Sequence, residues 1–548
     1  MLLGSIINLD FKSFKKILLI SILFFYLGFN TLGQPLQIIW QRCYGGSDDD
    51  FGLSVLPSPS GYYLFGMTDS NDGDVNGNHG GTDFWLLAID SSGNFIKSNC
   101  FGGTGYDLAK SMNNCPDGGY ILSGAPWSTN GDVKNNHGGC DYWLIKTDDE
   151  AVVQWQKCFG GSCNDEIHSL QVTSDSGFLC SGVSCSVDGD VTGNHGLNDF
   201  WVIKVDKNGN LKWEKSLGGS KQDWGMCASE TTDGGEVVGG WSESTDGDVN
   251  CQHHGGINNE IDAWMVKLDS SRNIEWQKCY GGSDIDVINQ ILPMDDGSYL
   301  FMGITYSYDG DITNQHGAGD FWVGKTDHWG NLLWNHCYGG TEYDNPSFIK
   351  RLSDGKFIIG GLTISNNGDV SGNHSFNGYT DMWIIKITSD GDLIWEQCFG
   401  GTMNESLDNA IEIPSNRLLL IGSSFTSDNT GDVQCDHHGP GTYDNWLLMV
   451  YDSTTVGIKE NSNLSFRITA SPNPATDYVK FSYKSQESLF GIEIKVANQL
   501  GQIVKEVTLP SAINELTWDT SKIPSGIYYY YYRLGNTNGT GKIAIMKL

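Results

Sequence analysis

The sequence reads as all-β, and three observations carry that reading. Glycine supplies 71 of 548 residues, beside 18 Trp, 23 Tyr and 23 Phe, a balance that favours short strands joined by tight turns over helices. A pattern of Trp, two residues, Cys, an aromatic residue and Gly-Gly returns along the chain. Between its copies, strand-length runs follow in a fixed order, each bounded by Gly, Asp or Asn.

The repeat stands as "WQRCYGG" (40–46), "WQKCFGG" (155–161), "WQKCYGG" (276–282), "WNHCYGG" (334–340) and "WEQCFGG" (395–401), with weaker copies "KSNCFGG" (97–103) and "WEKSLGG" (213–219). Seven units result, spaced 57 to 63 residues apart. After Gly-Gly comes a short run such as "DLAKSM", a turn such as "PDGG" (116–119), a run such as "YILSG", a glycine-rich loop, "DYWLIKTD", and a turn such as "SSGN" (91–94) or "KNGN" (207–210). Four antiparallel strands per ~58 residues, repeated seven times, predict a seven-bladed β-propeller. A solenoid is the alternative. The seventh unit ends with "DNWLLMVYD" (444–452) and no further Trp strand, whereas the first begins with an unpartnered one at 36–44. Pairing of these two would close the ring, as in WD-repeat propellers, and leave no open edge.

The N-terminus has Lys12, Lys15 and Lys16, the apolar run "ILLISILFFYLGF" (17–29) and small residues before Gln34. That order predicts a secretory signal over 1–33, cut after Gly33. The propeller then spans 34–452, a polar linker 453–465, and a small β-sandwich 466–548. A net charge of −33 and a pI near 4.5 exclude nucleic acid and anionic membrane surfaces as partners, because the field repels phosphate.

Fourteen cysteines in an exported chain suggest disulfides. Six of them, Cys43, Cys100, Cys158, Cys279, Cys337 and Cys398, share one repeat position, filled by Ser216 in the other unit. On separate blades they would lie too far apart to bridge one another, so they are expected to act as small buried hydrophobes. The other eight are free to pair. Cys251 and Cys435 sit at equivalent points, and a bridge between them would need their blades to fold together.

The glycine-rich loop keeps Gly-Asp-(Val/Ile), three residues and His in every unit: Asp74/His79, Asp132/His137, Asp190/His195, Asp248/His253, Asp311/His316, Asp369/His374 and Asp432/His437. Asp-x-Trp follows each: Asp83, Asp141, Asp199, Asp262, Asp320, Asp381 and Asp444 with Trp85, Trp143, Trp201, Trp264, Trp322, Trp383 and Trp446. A residue set present seven times suits a structural clasp better than a catalytic centre, with Asp and His bonding each other and nearby backbone, as in WD-repeat blades. Calcium is the competing reading. "DGDVNGNHGGTD" (72–83) follows the spacing of an EF-hand loop, offering Asp72, Asp74, Asn76 and Asp83. Lys134, Thr192 and Thr313 break that pattern in other units, so no cofactor is required. Zinc fits worse, since one His per blade cannot converge.

An acid closes each stretch after Gly-Gly: Asp50, Asp107, Asp165, Asp223, Asp286, Asp344 and Glu405. If the next strand is innermost, these acids ring one mouth of the channel, either capping local turns or attracting cations. Insertions between His and Asp in units 4, 6 and 7 (251–261, 375–380 and 438–443) mark a candidate partner surface. Glu166, Glu260 and Glu342 are single-copy acids without an evident partner.

Beyond the linker, "ASPNPATD" (470–477), "QLGQIVKE" (499–506), "IPSGIYYYYYRL" (523–534) and "GKIAIMKL" (541–548) resemble the type A C-terminal sorting domain of the bacterial type IX secretion system. The resemblance implies handling by that machinery, export across the outer membrane, removal of the segment, and release or attachment at the cell surface. The expected function is a binding or adhesion module with a glycan or surface-protein ligand. A secreted polysaccharide hydrolase and a structural surface protein are the alternatives, the former needing a paired acid and base.

Overall fold

Every repeat folds into a four-stranded antiparallel sheet whose strands follow chain order, and each sheet borrows its outer strand from the Trp run that opens the next unit. Sheet 1 comprises Asp50–Ser58, Gly61–Thr68, Asp83–Asp90 and Phe95–Phe101. The inner strands of sheets 2 to 7 are Asp107–Asn114, Asp165–Val172, Asp223–Glu230, Asp286–Pro293, Asp344–Arg351 and Glu405–Ile413. Each lies against the inner strand of the next sheet, and the last lies against Asp50–Ser58, which makes the array a closed β-propeller. These relations come from a computed structural model. It describes residues 34–547 except 252–260, 376–377, 427–429, 436–438, 440, 457–466, 472–474, 485–491, 499–502, 510–514 and 535–536. The predicted signal, His253, His437, Glu260 and most of the linker and insertions lie outside the described residues.

Closure occurs where the chain ends suggest. Leu36–Tyr44 pairs antiparallel with Asp444–Asp452, from Leu36 opposite Asp452 to Tyr44 opposite Asn445. The seventh sheet therefore holds both ends of the repeat region, and no described sheet of the ring is left with three strands.

Packing between sheets rests on the Asp-x-Trp tryptophans, which are at most 1 % exposed. Several lie against an aromatic ring of the preceding sheet: Phe84 meets Trp143 at 4.7 Å between centroids, Tyr142 meets Trp201 at 4.6 Å and Phe321 meets Trp383 at 4.5 Å. Truncating such a ring to Ala costs about 3–5 kcal/mol. Buried lysines on the third strands complete the sheets from the other end. Lys204 and Lys267 reach Asp175 and Asp233, in the turn before the second strand, at 2.8 Å each. Turns of the "SSGN" type owe their glycine to geometry: Gly93 has φ 81°, open to few other residues, while Asp90 accepts the N–H groups of Ser92 and Asn94 at 2.8 and 2.9 Å.

The cysteine expectation needs correction at two positions. Cys43 is bonded to Cys435 and Cys279 to Cys251, with Cα atoms 5.5 and 5.6 Å apart. Repeat-position cysteines thus do not bridge one another but join the loop of their own sheet, and Cys251 and Cys435 do not pair together. A third bridge joins Cys163 to Cys185. Cys100, Cys158, Cys337 and Cys398 are free and buried, as are Cys115, Cys140, Cys180 and Cys227.

The chain divides between Ser453 and Thr454. The second unit has a three-stranded sheet (Arg467–Ser471, Tyr478–Lys484, Glu515–Asp519) and a four-stranded one (Ile503–Leu509, Ile492–Asn498, Gly526–Leu534, Thr537–Ile545). Val479, Phe481 and Trp518 from the first share one core with Ile494, Val496 and Ile543 from the second. The "YYYYY" run alternates accordingly, with Tyr528 and Tyr530 buried and Tyr529 and Tyr531 exposed, the period-two signature of a strand with one wet face.

Candidate functional site

Antiparallel order brings the Gly-Gly, the inner acid, the end of the second strand and the glycine-rich loop to the same end of every sheet. Each inner acid opens the inner strand yet is fully buried. The seven acids therefore lie beneath the channel mouth rather than exposed around it, which removes the reading of an open cation-attracting ring. Asp50 accepts the Gly46 N–H at 2.7 Å, the Ser70 hydroxyl at 2.9 Å and the Thr68 hydroxyl. Asp286 does the same with Gly282, Ser307 and Thr305. The grip comes from a Ser/Thr-x-Ser/Thr that ends nearly every second strand, such as Thr68/Ser70, Ser184/Ser186 and Ser424/Thr426. That pattern was available in the sequence and is the signal that finds these partners. Burial outweighs the hydrogen bonds and pushes Asp50 and Glu405 up to about 7 and Asp286 and Asp344 up to about 6.

Each described loop histidine bonds a later Asp, not the Asp that precedes it. His79 Nδ1 lies 2.6 Å from Asp83, the buried Asp of Asp-x-Trp, and its Nε2 lies 3.7 Å from Asp132 of the next unit. His195, His316 and His374 repeat this with Asp199 and Asp248, Asp320 and Asp369, and Asp381 and Asp432. His137 is held by Asp141 at 2.6 Å. The loop Asp docks through its backbone on the preceding Gly-Gly: Asp74 N–H donates to Gly45 O, Asp132 to Gly102 O, Asp190 to Gly160 O and Asp311 to Gly281 O, at 2.8 or 2.9 Å. Asn78, next to His79, ties the loop to the second strand by donating to the carbonyls of Thr68 and Ser70 at 3.2 and 3.0 Å. One His thus joins two sheets.

The proposed calcium ligands are engaged in this same scaffold. Asp72 accepts the Ser47 N–H at 2.7 Å, and Asp83 accepts both the backbone N–H and the ring of His79. Asn76 lies on the exposed side of the loop. Among the described residues no group of three or more His, Cys, Asp or Glu side chains is placed to hold a metal ion.

What does not repeat lies one step further in. Every inner strand carries a register shift after its third residue, so the fourth is a bulge, a device that re-aims a side chain. Those seven residues are Leu53, Lys110, His168, Met226, Asn289, Ser347 and Asp408, all different and at least partly exposed. Three neighbouring sheets build a continuous row around two of them, Lys110 and His168. Lys110 Nζ lies 3.1 Å from Glu166, whose carboxylate is 3.6 Å from His168 Nε2. His168 Nδ1 donates to the Gly225 carbonyl at 2.9 Å, and its ring stacks on Trp224, which stacks in turn on Trp241, with centroids 5.6 Å apart in both pairs. Glu166, predicted to stand alone, thus has Lys110 and His168 as neighbours. The hydrogen bond from His168 and the charge of Lys110 hold it down to about 2 against the opposing effect of burial. On the opposite flank, burial pushes Asp408 up to about 6 despite a hydrogen bond from Ser406. Further aromatic residues crown the same end of the ring: Tyr106 and Trp127 are exposed, Tyr306 faces Tyr343, and Tyr443 packs between Phe51 and Phe425.

Comparison with known proteins defines the second unit. Residues 470–546 match the family described as the secretion system C-terminal sorting domain. The chain is accordingly a secreted β-propeller with a type IX sorting tail, which marks it for attachment to, or release at, the cell surface. No curated protein matches the chain. Solved structures similar to it include Sqt1 from Chaetomium thermophilum (10 % identity, TM-score 0.38, covering 76 % of this chain and 100 % of that one). Puromycin hydrolase (10 %, 0.40, 69 % and 51 %) is another. The β-propeller domain of the Trilobed protease from Pyrococcus furiosus (11 %, 0.35, 68 % and 90 %) is a third. At this distance none of them lends a function to this chain.

Proposed function

We propose that this is a seven-bladed propeller that works as a binding module at the cell surface or after release, with the non-repeating row at its channel mouth as the ligand platform. One observation carries the reading: the scaffold of acids, histidines and tryptophans returns in every unit, whereas the bulge it creates bears a different side chain in each sheet. Fixed frames with variable, aromatic-rich surfaces suit recognition. Trp224 and Trp241 offer apolar faces and Lys110, Glu166 and His168 offer hydrogen bonds, the mixture a glycan or a protein side chain requires. The sorting tail supports the same reading by placing the propeller where such ligands are met.

The test is retention of the full-length secreted chain on insoluble polysaccharides and on whole cells, compared with Trp224→Ala and Lys110→Ala. Retention that falls in both variants supports the platform. Retention unchanged in both sinks it.

A second reading has one specific support. Glu166 is held below the usual carboxylate range and Asp408 above it, on opposite flanks of the channel, and hydrolysis needs such an unequal pair brought to one substrate. Release of reducing ends from soluble polysaccharide, abolished by Glu166→Gln and by Asp408→Asn, would establish it; intact substrate would remove it.

A further inference from the structure

The boundary between sheets 1 and 2 departs from the others. Outer strands of the other sheets run Trp-Gln-Lys (155–157), Trp-Glu-Lys (213–215), Trp-Gln-Lys (276–278), Trp-Asn-His (334–336), Trp-Glu-Gln (395–397) and Trp-Gln-Arg (40–42), whereas sheet 1 has Lys97-Ser98-Asn99. Where the middle residue is Gln, Glu or Asn, it accepts the indole N–H of the buried tryptophan: Gln156 from Trp143 at 2.7 Å, Glu214 from Trp201 at 3.0 Å, Asn335 from Trp322 at 3.3 Å. Gln277, Glu396 and Gln41 do likewise for Trp264, Trp383 and Trp446. Ser98 is too short for this role. Its hydroxyl donates to Asp74 O at 2.7 Å, and Trp85 Nε1 is buried without an acceptor among the described residues.

The third residue shows the same shortening. Arg42, Lys157 and Lys278 lay their chains over the glycine of the following sheet's last turn, at Gly93, Gly209 and Gly330. Asn99 is shorter, and it is Lys97, in the place of the repeat Trp, that reaches the following sheet's last turn, donating to Glu150 O at 2.9 Å. Where Ser98 and Asn99 stand, a cleft of about 610 Å³ opens between the two sheets, within the roughly 300–1,000 Å³ of small-molecule sites. Its lining includes the amides of Asn76 and Asn99 and the exposed side chain of Val153, with Phe101 and Ile145 buried beneath and the Gln156 amide already engaged by Trp143 and the Asp132 carbonyl. Asp132 and Lys134 stand at its rim with opposite charges.

We infer that this cleft is a ligand site for neutral carbohydrate, taking one or two pyranose rings. Sugars present hydroxyls that both donate and accept, which matches the side-chain amides of Asn76 and Asn99, and C–H faces that match the exposed Val153. The opposed rim charges and the −33 net charge select against an anionic ligand. The site lies away from the channel-mouth row, so neither depends on the other.

The test restores what the other units carry. Cellobiose, maltose and N,N′-diacetylchitobiose are titrated calorimetrically into the full-length secreted chain, the Ser98→Gln/Asn99→Lys variant, Asn76→Ala and Leu333→Ala, the last an exposed position on the outer strand of another sheet. Binding of at least one disaccharide is expected, weakened roughly tenfold or more by the filling variant, weakened by Asn76→Ala, and unchanged by Leu333→Ala. Because the Ser98→Gln change would supply the missing acceptor for Trp85, the filling variant should melt no lower than the parent; Asn76→Ala, at an exposed position, covers the case in which it does not fold. Binding of none of the three sugars, or undiminished binding in both cleft variants, would overturn the assignment.

Discussion

Cys43 and Cys435 are separated by 392 residues and joined by a disulfide. The bridge ties the strand that closes the ring to the loop that precedes its partner strand, so it locks both ends of the propeller into one sheet. In the chain-entropy treatment a loop of this length is worth about 6 kcal/mol, an upper figure because residual structure in the unfolded chain reduces it. Cys43→Ser or Cys435→Ser should lower the melting temperature of the propeller well beyond Cys163→Ser, whose loop spans only 22 residues. Calorimetry of the three variants decides this; equal melting temperatures would show that strand pairing alone secures the closure.

The histidine that joins adjacent sheets gives a second expectation. His195→Ala removes the ring contact to Asp199 at 2.6 Å and the approach to Asp248 at 3.8 Å, while the His195 backbone N–H still donates to Asp199. A buried carboxylate losing one of its donors costs roughly 1–3 kcal/mol. Denaturant unfolding should show that loss, and a variant as stable as the parent would reduce the clasp to decoration.

Gly45 fills a space that admits no side chain. A Cβ there would stand 2.6 Å from Asp50 Oδ2 and 2.8 Å from Asp444 Oδ1. Gly45→Ala should therefore destabilise the first and last sheets together, by roughly 1–3 kcal/mol, the usual cost of overpacking. Limited proteolysis would reveal it as cleavage near both ends of the repeat region, and resistance equal to the parent would refute it.

Acid strength sets the pH dependence. Asp50 and Glu405 at about 7, and Asp286 and Asp344 at about 6, bind protons more tightly folded than unfolded, where carboxyls titrate near their usual ~4. Between roughly pH 4 and 7 the native state thus holds more protons, and stability falls as pH rises through that window. The melting temperature should be higher at pH 5 than at pH 8, with a smaller difference in Asp286→Asn. A melting temperature that climbs from pH 5 to pH 8 would contradict the direction.

The repeat of Trp, Cys and Gly-Gly was enough to place the strands, to divide them into sheets of four, and to pair 36–44 with 444–452, because period and turn chemistry act within one unit. The separate motifs from "ASPNPATD" onward marked the tail. Contacts between units were not legible. An alignment of units sets His79 beside Asp74, yet His79 bonds Asp83 of its own unit and reaches Asp132 of the next, the second contact being made by how one sheet turns against the next. Cys43 looked like its buried counterparts until ring closure carried it to Cys435. Glu166 was solitary in sequence because Lys110 comes to it from the bulge of the neighbouring inner strand, while His168 turns to it only through the bulge in their shared strand. Strand propensity and turns are local, so the sheets and their order could be read from the chain alone. Which side chains meet depended on ring closure, which brings together residues that no spacing within a repeat relates.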